Sequence, residues 1–195
     1  MKPSARQLNR RGEGGRLREE ILQAAARLLV SSPADTVTLR AIAREAGIAA
    51  PSIYPHFADR DAILDALVER NFERLGDACR AASAAAPPGI ERLRAVSAAY
   101  VRFAEEHPGD YRILFERVAG NRVEPPHEYA AGIRAFTTLV EAFAGLDRPG
   151  ADAVRDAQAF WAALHGMLVL VPATPGFPWR PRAELVDRLV AALTA

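Results

Sequence analysis

The chain has 195 residues, half of them hydrophobic and a quarter charged, with a formal net charge of +1. Such a balance is ordinary for a soluble globular protein and carries no global basic signature. Cys79 is the single cysteine, so an internal disulfide is excluded and a reducing, cytoplasmic setting is expected.

The charge is uneven along the chain. Residues 1–60 hold ten Lys+Arg against six Asp+Glu, and residues 61–195 hold fifteen against eighteen. A basic first third on a slightly acidic remainder suits a nucleic-acid-reading head joined to something else. The first 20 residues are polar and charged, unlike a signal peptide. The longest apolar run, Ala157 to Val171, is interrupted by Gln158 and His165. It is shorter than the ~20 residues a membrane span needs, so no membrane partner is expected.

Residues 1–15 are polar, Gly-containing and basic, and read as a flexible arm whose arginines are candidates for phosphate or minor-groove contact. A first helix is expected over about Arg16–Val30, with Leu17, Ile21, Ala25 and Leu28 inward, and the turn residues of Ser31–Val37 end it. Thr38 is a candidate N-cap for a second, short helix carrying Leu39, Ile42, Ala43 and Ala46. Gly47 suits its left-handed terminus. A third short helix follows over about Ala50–His56, with Ile53 and Phe57 inward and Ser52, Tyr54 and His56 outward. Two short helices around a Gly-containing turn make a helix-turn-helix, whose second helix enters the DNA major groove.

The run Thr38, Ile42-Ala43, Ala46-Gly47-Ile48, Ile53-Tyr54-Pro55-His56-Phe57 and Arg60 resembles the N-terminal domain of the tetracycline-repressor (TetR/AcrR) family over about residues 16–70. The resemblance implies a DNA-binding surface made by Thr38, Arg40, Ala50, Pro51, Ser52, Tyr54, His56 and Arg60. Ala50 and Pro51 are small or apolar groups able to meet a thymine methyl, and Ser52 can bond a base edge or phosphate. Tyr54 and His56 match the family's phosphate-contacting positions, and Arg40 lies on the outer face of the second helix. Arg60 replaces the family's usual lysine at the start of helix four. Two departures stand out. Ala49 occupies a common capping-serine position, and Pro55, having no N–H, is expected to end the third helix early.

Beyond Asp59, a good N-cap, helix four should run to about Ala85, where Ala86-Pro87-Pro88-Gly89 breaks it. Helix five is expected over Ile90–Glu106. Helix six carries Tyr111, Leu114, Phe115 and Val118. Helix seven runs from about His127 to Phe143, on Ile133, Phe136, Leu139 and Val140. Helix eight spans Ala151–Val171, and helix nine carries Leu185, Val186, Leu189, Val190 and Leu193. The loop between the last two, Pro172–Pro181, holds four prolines. Phe160–Val171 is apolar around nearly its whole circumference, so it needs cover on every side. Pairing of helices eight and nine with those of a second copy would supply it, and a two-fold homodimer presents two recognition helices to two half-sites.

Trp161, His165 and Gly166, with His107-Pro108 and Tyr111 upstream, resemble a TetR subgroup with a Trp-x-x-x-His-Gly C-terminal domain. Two readings of Trp161 and His165 remain open, tight core packing or the polar spot of a mostly apolar ligand cavity with Tyr100, Phe103, Tyr111, Phe115 and Phe136. No His-Glu-x-x-His, Gly-x-Ser-x-Gly or phosphate loop is present, so enzyme activity, cofactor and metal are not expected.

The expectation is an all-α chain of about nine helices. It comprises an arm (1–15), a helix-turn-helix domain (16–60) and a helical ligand-binding and dimerisation domain (61–195). Its partners are a double-stranded palindromic operator, a second copy and a small, largely apolar effector that releases a repressor by moving helix four. The alternatives are a DNA-binding dimer without a ligand and a helical interaction module with a vestigial head.

Overall fold

The computed structural model describes residues 13–119 and 130–194. Helix α1 (Glu13–Ser31) is followed by a 3-10 turn (Ala34–Thr36), α2 (Leu39–Glu45) and a second 3-10 turn (Ala50–Ile53). Then come α3 (Arg60–Ala85), α4 (Ile90–Glu106), α5 (Pro108–Ala119), α6 (Ala130–Ala144), α7 (Ala153–Ala173) and α8 (Arg182–Thr194). Among the described residues every regular element is helical. The arm expected over 1–15 falls outside them up to residue 12, and so does the expected start of helix seven at His127.

The helix ends follow local chemistry. Thr38 Oγ1 accepts from Ala41 N at 3.2 Å, and Asp59 Oδ1 accepts from Ala62 N at 2.8 Å. Asp152 caps α7 by accepting from Val154 N and Arg155 N. Gly47 ends α2 at φ +68, where a side chain is strained. Helix α7 ends at Ala173, two residues past its expected end, with Pro172 inside its last turn. The fixed φ of proline is compatible with a helix, and so near the terminus only one backbone bond is lost.

The chain forms two compact units. Among the described residues, the first holds 13–68 and 112–119, and the second holds 69–111 and 130–194. The first has a core of Ile21, Leu22, Ala25 and Leu29 from α1, Ile42 and Ala43 from α2, Ile53 and Phe57, and Ile63, Leu64 and Leu67 from α3. Arg112 donates to the carbonyls of Leu29 and Ser32, satisfying acceptors that α1 leaves open at its C-terminus.

In the second unit, Leu93, Val96, Ala99 and Phe103 of α4 are buried, as are Leu139 and Phe143 of α6 and Phe160, Leu164 and Leu168 of α7. Phe143 and Phe160 meet edge to face, 5.5 Å between centroids. Small residues let α3 and α6 approach. A Cβ on Gly76 would stand 3.4 Å from Ala135 Cα, and one on Gly132 3.3 Å from the Phe72 ring. The buried face of α6 carries Ala131, Thr138, Leu139, Ala142 and Phe143, and Ile133, expected inward, lies off it at 57% exposed.

Candidate nucleic-acid interface and an interior hydrogen-bond chain

The motif's second segment is a one-turn 3-10 helix, Ala50–Ile53, where a short helix over Ala50–His56 was expected. Ser52 N bonds Ala49 O and His56 N bonds Ile53 O, both in the tighter i to i+3 pattern. Pro51 lies in the first turn, where the missing N–H costs nothing, but Pro55 removes a donor that a longer α-helix would use. Ile53 is fully buried and Phe57 nearly so, and they anchor the segment at its C-terminal side. Arg18 of α1 lies over the Phe57 ring at 4.9 Å.

That anchoring leaves one face outward. Thr38, Arg40, Pro51 and Tyr54 are exposed, and Ala50, Ser52 and His56 are half-buried. Tyr54 is 60% exposed, far from the setting of a core aromatic. The side chains of Arg40, Tyr54 and His56 make no hydrogen bond or ion pair among the described residues. Arg60 differs from them: it is half-buried, and its guanidinium is taken up by Asp61 and by backbone carbonyls of the preceding turn.

The second unit contains a chain of polar contacts among aromatics. Trp161 Nε1 donates to Tyr100 Oη at 2.9 Å, Tyr100 Oη meets Tyr111 Oη at 3.0 Å, and Tyr111 Oη meets His165 Nδ1 at 2.6 Å. The indole can only donate. With the imidazole proton on Nε2, Nδ1 accepts from Tyr111, Tyr111 accepts from Tyr100, and each hydroxyl proton of the run has an acceptor. Burial pushes the Tyr100 phenol up to about 12 and raises that of Tyr111, and it lowers the pKa of His165. Burial thus keeps both phenols protonated and favours the neutral imidazole.

Of the seven aromatic positions expected to line a ligand site, four make this chain. Phe136 lies 5.8 Å from Trp161. Phe103 stands apart from the chain, edge-on to His107 at 5.3 Å with Arg74 over its ring at 5.6 Å. Phe115 belongs to the first unit. Arg74 also bonds Asp110 Oδ2 at 2.6 Å, beside the buried Asn71. This cluster and the Arg112 contacts to α1 were not foreseen. Their partners lie 36 to 83 positions away, and no local pattern marks them.

An outward helix-turn-helix face on an all-helical chain defines the class: a DNA-binding transcriptional regulator. Residues 21–67 match the tetR family of bacterial regulatory proteins, and residues 93–193, more than half the chain, match the tetracycline repressor-like C-terminal domain. The chain belongs to the TetR family. An uncharacterised helix-turn-helix transcriptional regulator of Mycobacterium tuberculosis is 29% identical over 162 residues, covering 78% of this chain and 69% of that protein. The nucleoid occlusion factor SlmA of Marinomonas is 31% identical over 97 residues, covering 50% of this chain. The chain spans about half the length of that and other curated relatives it matches.

Among solved structures, a protein of unknown function from Rhodococcus sp. RHA1 is 27% identical over the full length of both chains, with a TM-score of 0.78. FadR from Bacillus subtilis, in complex with stearoyl-CoA, shares the fold at 14% identity, a TM-score of 0.78, and coverage of 91% of this chain and 97% of that one. Family and fold are those of transcription regulators. No described helix is long and apolar enough to cross a membrane.

Proposed function

We propose that the chain is a repressor that binds a palindromic operator as a homodimer. The observation that carries this reading is the unpartnered set on the helix-turn-helix of exposed Arg40 and Tyr54 and half-buried His56. Arg40, Tyr54 and His56 face the phosphates, Thr38 and Ser52 add hydroxyl contacts, and Ala50 and Pro51 sit against base edges. Most of these contacts position the protein and few of them read sequence.

The dimer forms through α7 and α8. Ala159, Ala162, Ala163, Val169, Leu170 and Ala173 make an exposed apolar face of α7. Gly166 lies on the same face, and a Cβ added there would meet nothing within 4 Å. A mid-helix glycine costs roughly 0.5–1 kcal/mol against alanine, and packing inside the chain does not offset it. A second copy approaching closely over that glycine does.

A small, largely apolar molecule releases the DNA. It seats against Tyr100, Phe103, Tyr111, Phe136, Trp161 and His165, the Trp-x-x-x-His-Gly signature supplying two of them. Support comes from the fold, which holds an acyl-CoA in FadR of Bacillus subtilis. Helix α3 starts in one compact unit and ends in the other, so one continuous hydrogen-bonded rod transmits the displacement. The ligand acts only through its preference for the non-binding state. One observation favours a second reading, a DNA-binding dimer with no ligand: the Trp161–Tyr100–Tyr111–His165 chain already satisfies its own hydroxyls.

The test is footprinting on the duplex upstream of the chain's own coding sequence. Protection of a palindrome by a dimer supports the regulator. Equal, weak binding to every duplex sinks it.

A further inference from the structure

Arg60 opens α3 and differs from Arg40 in what its guanidinium already holds. Nε and Nη2 donate to Asp61 Oδ1 at 3.1 and 2.8 Å. Nη1 donates to Asp35 O at 3.1 Å and approaches Val37 O at 3.5 Å. The two carbonyls bracket the end of the Ala34–Thr36 turn, immediately before the cap residue of α2. One side chain therefore ties the entry of α2 to the first residue of α3, and Asp61 sets the plane of that side chain. This geometry needs a planar fork. A lysine ammonium offers its donors from a single point and cannot span a carboxylate and two carbonyls.

What the tie holds bears on DNA. Val37 is 3% exposed, and Thr38 beside it caps Ala41. A turn free to rotate at 35–37 would carry Thr38 and Arg40 with it. The charge balance points the same way. Arg60 and Asp61 form a partly exposed neutral pair, so a phosphate arriving at this helix start meets a carboxylate as well as a guanidinium.

The geometry points to Arg60 as a positioning residue for DNA binding, holding the entry of α2 in register, and not as a phosphate ligand. The inference rests on the DNA-binding reading above. Its test uses Arg60→Lys and Arg60→Ala in the full chain, at a temperature where circular dichroism shows both folded. Affinity for the footprinted duplex and for a scrambled duplex is measured at two salt concentrations, and amide exchange over residues 35–41 is followed in the free protein.

A positioning role predicts that lysine fails to rescue. Both variants lose roughly tenfold or more in specific affinity, as expected for a broken charge-assisted contact. Scrambled-duplex affinity and the salt slope stay unchanged, and exchange over 35–41 speeds up. Wild-type affinity in Arg60→Lys overturns the inference. So does a slope reduced by about one per lost phosphate contact in Arg60→Ala. Should the wild-type protein bind neither duplex, the regulator reading fails by itself. Exchange in the free protein still decides on Arg60: faster exchange in Arg60→Lys upholds the tie, and unchanged exchange overturns it.

Discussion

Two side chains allow sharp predictions at the residue scale. His165 Nδ1 shares a hydrogen bond with Tyr111 Oη, and burial holds its pKa below the usual imidazole value of 6.5. Below that value the unfolded chain takes up a proton that the folded chain resists. Stability therefore falls as pH drops from about 6.5 through the folded pKa and stops falling at this site once both states are charged. Tyr100 and Tyr111 stay protonated throughout, because burial moves both upward. His165→Gln removes the titration. Urea unfolding from pH 8 to pH 5 should show the wild-type advantage over the variant shrinking as pH falls, and parallel curves would contradict this account. Thr38 is the second case. Its hydroxyl caps Ala41 N, so Thr38→Ala should cost about 1 kcal/mol and Thr38→Ser much less. Equal losses in the two variants would remove the cap from the explanation.

At the element scale, α7 carries the most informative face. Ala162 and Gly166 lie one turn apart on its exposed apolar side. Ala162→Glu places a charge there without touching the inner stripe of Phe160, Leu164 and Leu168. Sedimentation should show a monomer with native helicity, and a persistent dimer would move the interface elsewhere. The elements also show what a sequence can carry. Thr38, Gly47, Asp59 and the Ala86–Gly89 break were legible because capping and breaking are decided within a few residues. Those four alone place α2, the turn and both ends of α3. The 3-10 form of Ala50–Ile53 was half legible: Pro55 announced an early end, but nothing local distinguishes a single tight turn from a short α-helix. Ile133 was misassigned because helical spacing marks an apolar face without saying which neighbour approaches it. In the candidate site, Tyr54 was readable as outward, whereas the tie made by Arg60 depends on carbonyls 23 and 25 residues upstream.

For the whole molecule, the two-fold reading makes a claim about salt that separates it from a monomeric DNA binder. Each phosphate neutralised on duplex DNA releases counterions, so the logarithm of affinity falls with the logarithm of salt at about −0.9 per contact. Every protomer presents the same outward groups, Arg40, Tyr54 and His56 among them. A dimer engaging two half-sites should thus show about twice the slope of a single protomer on the same duplex. Half-sites about one helical turn apart, ~34–36 Å, keep both heads on one face of the DNA. Ala162→Glu, if monomeric, should keep a folded head, lose most specific affinity and show about half the wild-type salt slope. Its footprint should shrink to one half-site, because linking two weak heads gives the dimer an effective local concentration that a free monomer lacks. Binding isotherms between about 50 and 200 mM salt, with footprints at each, measure both quantities. A monomeric variant that retains the wild-type slope and the full footprint would show that one protomer makes all the contacts. The exposed α7 face would then need a purpose other than DNA recognition.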